Sequence, residues 1–251
     1  MTKKRIDVAG ALIPIIGVAG LVILTLTSGC ATTVESKPAA AEAIEQGQPL
    51  PPAVTGFFGA DASKLAPGPE GGAALVYFDK TAPWSQYTKI QLMPVEFWAG
   101  QDSKVSTADQ QMLAAYFYNS LKTELSKNFT LVDQPGPGVL TLRVALMDAT
   151  TATPGLRSIS VVVPQARLLN GVQSLATGSY AFVGSAEAEM KATDSVSGAV
   201  LAEAVDQRSG GMGIKGAASF KWGDAENAMD YWSKRISDRL LQAQGRMPAQ
   251  S

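Results

Sequence analysis

The chain has 251 residues, 46% of them hydrophobic and 17% charged, which suits a folded protein with a buried core rather than a disordered one. Its formal net charge is −1, so no global basic field is present to recruit nucleic acid. It has no histidine and a single cysteine, Cys30, which excludes Ser-His-Asp and Cys-His catalysis, His-ligated zinc, a CxxC redox pair and any intramolecular disulfide.

Lys3, Lys4 and Arg5 form a basic start, followed by an uncharged, mostly apolar run from Val8 to Thr27. Thr27-Ser28-Gly29-Cys30 resembles the bacterial lipobox, in which small residues precede a cysteine. That resemblance implies that the Cys30 thiol receives diacylglycerol, that a peptidase cuts before it, and that the new amine is acylated. One acyl chain gives marginal binding at roughly 0.8 kcal/mol per buried CH₂, whereas two or three anchor durably. The pattern departs at one point: leucine, usual three places before the cysteine, sits one place further back as Leu26. The apolar run of 20 residues is also long enough to span a bilayer, so an uncleaved inner-membrane anchor is the alternative. Ala31, not aspartate, follows the cysteine, which by resemblance to enterobacterial sorting favours the outer membrane, facing the periplasm. Removing residues 1–29 lowers the net charge by two, to −3.

Residues 30–55 then read as the lipidated cysteine and a flexible linker. Ala31 to Thr55 is rich in Ala, Glu, Gln, Ser and Pro and has no periodic apolar pattern. As a coil it would average roughly 25–30 Å end to end, enough to lift a domain off the headgroups.

The domain itself is expected over 56–247. Its start is irregular around Pro67-Gly68-Pro69-Glu70-Gly71-Gly72, with a short strand near Ala74–Phe78. Tyr87 to Trp98 alternates as a strand, with Pro94 marking an edge, a bulge or a strand end. Ser106 to Asn128 is the clearest helix: Ser106 and Thr107 are good caps, and Leu113, Tyr116, Phe117, Leu121 and Leu125 recur on one face. Val139 to Ala149 alternates with Leu140, Leu142, Val144 and Leu146 together. Ile159 to Thr177 is ambiguous between strand and a helix begun at Pro164.

Tyr180–Thr193 and Ala199–Arg208 form the best hairpin. Pairing Thr193 with Ala199 places Phe182, Ala186, Ala188, Met190, Val200, Ala202 and Ala204 on one face, with Asp206 and Arg208 beside them opposite Ala186 and Gly184. Glu187, Glu189, Lys191 and Glu203 fall on the other face, which is expected to be wet. Asp224 starts a last helix to about Gln244, with Ala225, Ala228, Met229, Trp232, Ile236 and Leu240 as its stripe, ended by Gly245. This order predicts an α+β fold: a small, mostly antiparallel sheet with two long helices packed on one face, a single domain after the signal peptide and linker.

Four stretches carry a family resemblance. They are Lys89-Ile90-Gln91-Leu92-Met93-Pro94-Val95-Glu96-Phe97-Trp98, Gly136-Pro137-Gly138, Val205-Asp206-Gln207-Arg208-Ser209-Gly210-Gly211, and Lys221-Trp222-Gly223-Asp224. The chain resembles, over roughly Gly56 to Leu241, the bacterial lipoproteins grouped as domain of unknown function 3313. That implies a periplasm-exposed lipoprotein and no particular activity.

Chemistry is sparse. Gly211-Met212-Gly213-Ile214-Lys215-Gly216 satisfies GxGxxG, but it follows a hairpin strand and leaves too little chain for a βαβ unit, so it reads as a glycine loop. Glu187, Glu189 and Glu203 could pair as hydrolytic carboxylates or bind a cation, and a solvated strand face explains them more simply. Asp206 and Arg208, beside Trp222, are the candidate ligand or ion-pair site; the structural reading, an ion pair fixing the hairpin, is the stronger.

The first functional expectation is therefore a membrane-anchored envelope lipoprotein that binds or scaffolds another envelope protein, not an enzyme, with no catalytic residue, cofactor or metal. Its expected contact surface is the segment holding Leu168, Leu169 and Val172, together with the glycine loop. A module for a small ligand such as a lipid, a peptidoglycan fragment or a polyol is the second reading; an enzyme is a distant third.

Overall fold

The computed structural model describes residues 34–100, 103–147, 159–162, 185–209 and 223–247. In chain order the elements are β1 (Val34–Ser36), α1 (Ala39–Glu45), α2 (Pro52–Phe58), β2 (Ala66–Pro67), β3 (Leu75–Phe78), β4 (Lys89–Leu92) and β5 (Glu96–Gly100). Then come α3 (Thr107–Leu125), β6 (Thr130–Leu131), β7 (Val139–Met147), β8 (Ile159–Val162), β9 (Ser185–Asp194), β10 (Val200–Ser209) and α4 (Gly223–Ala243).

The strands form one ten-stranded sheet whose main path runs β2-β3-β10-β9-β7-β4-β6. It is mixed, not mostly antiparallel as the sequence suggested. Neighbours β10 and β9, and β9 and β7, are antiparallel, but β7 runs parallel to both β4 and β5, and β4 runs parallel to β6. The cause is a crossover. α3 lies between β5 and β6, and a parallel neighbour requires a connection of that length. Pro94 falls in the break between β4 and β5, where no ladder donor is needed.

α3 shows the local rules plainly. The Asp109 N–H donates to Ser106 Oγ at 3.2 Å, closing the N-terminus. Leu113, Phe117, Leu121 and Leu125 are fully buried along one face. That face and the Ala225, Ala228, Met229, Trp232 stripe of α4 meet Leu140, Leu142, Val144 and Leu146 of β7 to form the larger core. Across the helix pair, Tyr116 and Ser120 hydroxyls donate to Asp230 at 3.0 and 2.6 Å.

The other face of the sheet is also covered, which the sequence reading did not foresee. Residues 34–58, expected as a tether, fold into β1, α1 and α2 and pack there. Ala40, Ala41, Val54, Phe57 and Phe58 are buried against Leu75, Ala145, Met147 and Val205. β1 extends the sheet, with Val34 opposite Ser209 and Ser36 opposite Gln207. After α1, Gly47 at φ 65° places its N–H on Ile44 O and the Gln48 N–H on Ala43 O, a Schellman ending. The signal was weak because α1 buries alanines, which carry little hydrophobicity each but have high helix propensity. The fold is thus layered: α3 and α4, then the sheet, then the N-terminal strap.

The hairpin also departs from its expected register. Thr193 pairs with Val200, a bulge at Leu201 follows, and Asp206 then lies opposite Ala188 with Arg208 opposite Ala186. Beyond the bulge the shift is two residues, an even number, so the side chains from Ala202 to Arg208 keep their faces.

Candidate functional site

Asp206 and Arg208 project from β10 toward α4, on the side of the larger core. They are 6% and 7% exposed. Arg208 Nε donates to Asp206 Oδ2 at 2.9 Å, and its Nη2 donates to the Tyr231 hydroxyl at 2.9 Å. The guanidinium also lies 4.2 Å from the Tyr231 ring centroid. Trp232 Nε1 donates to the same Asp206 Oδ2 at 2.8 Å. Asp206 Oδ1 is buried with no hydrogen-bond partner among the described residues. Burial raises the Asp206 pKa, opposed by the Trp232 bond and by Arg208. Sequence reasoning found the two charges but missed both helix partners. Trp232 looked like a stripe residue, and it is one, with its ring against Phe117 and its N–H turned to the sheet.

Trp222, the third residue expected here, lies outside the described residues, as do Leu168, Leu169, Val172, the glycine loop and Cys30. The apolar run 8–27 lies outside them too. Among the described residues, no helix is long and apolar enough to cross a membrane.

The second cluster overturns an expectation. Glu187, Glu189 and Glu203 were expected on a wet face, yet they are 7%, 0% and 1% exposed because the strap lies over them. Glu189 sits between Ala145 of β7 and Val205 of β10. Neither of its oxygens has a hydrogen-bond partner among the described residues. Burial, reinforced by Glu187, Glu96 and Glu203, holds its pKa far above the usual carboxylate range. Burial and then Asp206 raise Glu187 to about 7. Glu203 is raised by burial, with Lys191 pulling the other way. The Lys191 ammonium is 3.3 Å from Glu203 Oε1, without hydrogen-bond geometry. Its better bonds go to the strap side, to Asp61 Oδ2 at 2.6 Å and the Phe58 carbonyl at 3.0 Å. Glu96 is neutralised separately, by Arg143 at 2.7 Å and the Trp98 indole N–H at 2.9 Å. Among the described residues no group of three or more acidic or cysteine side chains is placed to hold a metal ion.

A third feature is a shallow groove of about 580 Å³ lined by Ser85, Thr88, Asn128, Phe129, Gln244 and Arg246. Its polar groups are directed at the backbone: Gln244 Nε2 donates to Tyr87 O at 2.6 Å, and Arg246 Nη1 donates to Asn128 O at 3.3 Å. The cation lies just beyond the C-terminus of α3, where the helix dipole favours positive charge.

What these features define is a mixed α/β domain that, among the described residues, encloses five charged side chains, Glu187, Glu189, Glu203, Asp206 and Arg208. The chain belongs to the family described as Protein of unknown function (DUF3313), whose model matches residues 55–236. No curated protein matches it. Among solved structures it is similar to the PelC dodecamer from Paraburkholderia phytofirmans, at 10% identity and TM-score 0.34, covering 63% of this chain and 94% of that one. It is also similar to a DUF4136 family protein from Bacteroides thetaiotaomicron VPI-5482, at 12% identity and TM-score 0.33, covering 64% and 95%. Likenesses this loose carry no argument about this chain.

Proposed function

We propose that the chain is a lipid-anchored lipoprotein of the bacterial outer membrane, facing the periplasm, that acts by binding or scaffolding another envelope protein and not by catalysis. The observation that carries the reading is the Thr27-Ser28-Gly29-Cys30 pattern behind a basic start and an apolar run. The folded strap sharpens it. Only residues 31–33 separate Cys30 from β1, and four peptide steps reach at most about 14 Å. With lipid on Cys30 the domain is therefore held close to the headgroups, where a 25-residue coil would have let it range. A binding role is supported by the residue types at hand: the chain lacks histidine, and its most perturbed carboxylates lie under the strap, away from any substrate.

In-cell crosslinking of the full chain, followed by detergent extraction and mass spectrometry, tests this. One envelope protein recovered stoichiometrically, and lost on charge substitution at Leu168 or Val172, is the expected result. Recovery of the chain alone counts against scaffolding.

The small-ligand reading keeps one specific support, the buried Asp206 Oδ1 that lacks a donor. It expects a ligand donor to reach that oxygen, and ligand-induced stabilisation to vanish in Arg208→Ala.

A further inference from the structure

The strap covers a face it does not suit. α2 reads Pro-Ala-Val-Thr-Gly-Phe-Phe and has no charged side chain to offer the glutamates beneath it. Glu189 is fully buried with both oxygens unpartnered among the described residues, and neither oxygen of Glu203 has a hydrogen bond there. A neutral carboxyl tolerates such a site far better than a carboxylate, whose charge loses water and gains nothing. Lifting the strap would uncover the strand face that carries these side chains and let water reach it.

We propose that residues 39–58 form a proton-controlled lid, seated while the Glu187–Glu189–Glu203 stripe is neutral and lifted when the stripe ionises. The strap is built to move separately from the rest. It is joined to the sheet by the three register pairs of β1 and packs on the smaller of the two cores, while α3 and α4 hold the larger one on the opposite face. Elements whose packing is limited and local open below the global unfolding free energy.

The charges facing the stripe from each neighbouring element are few. β5 supplies Glu96, already paired with Arg143 of β7; β9 supplies Lys191; and the turn after α2 supplies Asp61 and Lys64, which pair with each other at 2.8 Å. β1 carries Glu35, and the α1 acids Glu42 and Glu45 are exposed. Among the described residues Lys191 is the cation nearest the stripe, with Lys64 acting on Glu203 from further away. Lys191 is shared between Asp61, the Phe58 carbonyl and Glu203. It latches the end of the lid without neutralising Glu189.

The sign follows from linkage. The lid-closed state binds protons more tightly than the open one, so closure is favoured at low pH and weakens as pH rises through the open-state carboxyl range toward the raised closed-state values. Lid closure does not depend on whether Cys30 is lipidated.

Amide hydrogen exchange on the full chain in detergent tests it, as protection factors corrected for intrinsic exchange. Between about pH 5.5 and about pH 8.5, protection over 39–58 is expected to fall roughly tenfold or more while β7 and α3 keep theirs. Glu189→Gln flattens that response, and Glu187→Gln reduces it. Strap protection that does not change with pH, or that falls together with α3, overturns the proposal, and the wild-type profile alone decides this if a variant does not fold. An unaltered response in folded Glu189→Gln overturns it as well.

Discussion

Trp232 and Arg208 donate to one and the same oxygen of Asp206. The indole Nε1 is 2.8 Å and the guanidinium Nε 2.9 Å from Oδ2, one from α4 and the other from two residues along β10. The pair therefore ties helix to sheet through a single buried atom. Arg208→Ala leaves Asp206 enclosed without its cation and is expected to cost about 3–5 kcal/mol in urea unfolding. The double change Asp206→Leu with Arg208→Met removes both charges and is expected to lie far closer to wild type. A single variant as mild as the double would mean that the pair is not stabilised by mutual neutralisation.

Glu187 gives a pH prediction with a definite sign. Its folded pKa of about 7 lies above the ordinary value of 4.5, so the folded state holds a proton that the unfolded state has lost between those two values. The Glu187 contribution to stability is therefore lost as pH rises from about 4.5 to about 7 and changes no further above it. The loss amounts to at most about 3 kcal/mol, at 1.36 kcal/mol per unit. Glu187→Gln is expected to be more stable than wild type at about pH 8, with that gain gone at about pH 4. Equal stabilities at both pH values would place Glu187 in contact with water.

The strap is predicted to behave as core. Phe58 is 2% exposed, and Phe58→Ala is expected to cost about 3–5 kcal/mol by denaturant titration, a loss no tether residue could produce. Gly56 tests the same packing from its other side. A Cβ there would stand 2.6 Å from the Trp98 ring, so Gly56→Ala must displace α2 or the indole. Proteolysis within 39–58 is expected to quicken in that variant, with α3 remaining resistant.

Much of the helix-side half of the fold was readable because its signals are local and strong. Ser106 and the Leu113–Leu125 stripe specify α3 outright, and the alternation of Leu140 to Leu146 specifies the inward face of β7. The even shift in hairpin register left Asp206 and Arg208 on the face assigned to them. The other half was hidden for two physical reasons. Ala40, Ala41 and Ala43 bury too little surface each to register as an apolar pattern, and Glu187, Glu189 and Glu203 on a strand read as solvated unless something is known to cover them. The covering element was the segment taken for a tether, so the two errors are one. The parallel pairing of β7 with β4 and β5 was likewise invisible, since alternation gives a strand's faces and not its neighbours.

The intact mass of the chain extracted from outer membranes tests the lipoprotein account most directly. A mature species beginning at Cys30, heavier by a diacylglyceryl group and an amide-linked acyl chain and reduced to the unprocessed precursor in Cys30→Ala, is the predicted result. A chain that retains Met1, or one recovered in the aqueous fraction without acyl mass, would contradict it.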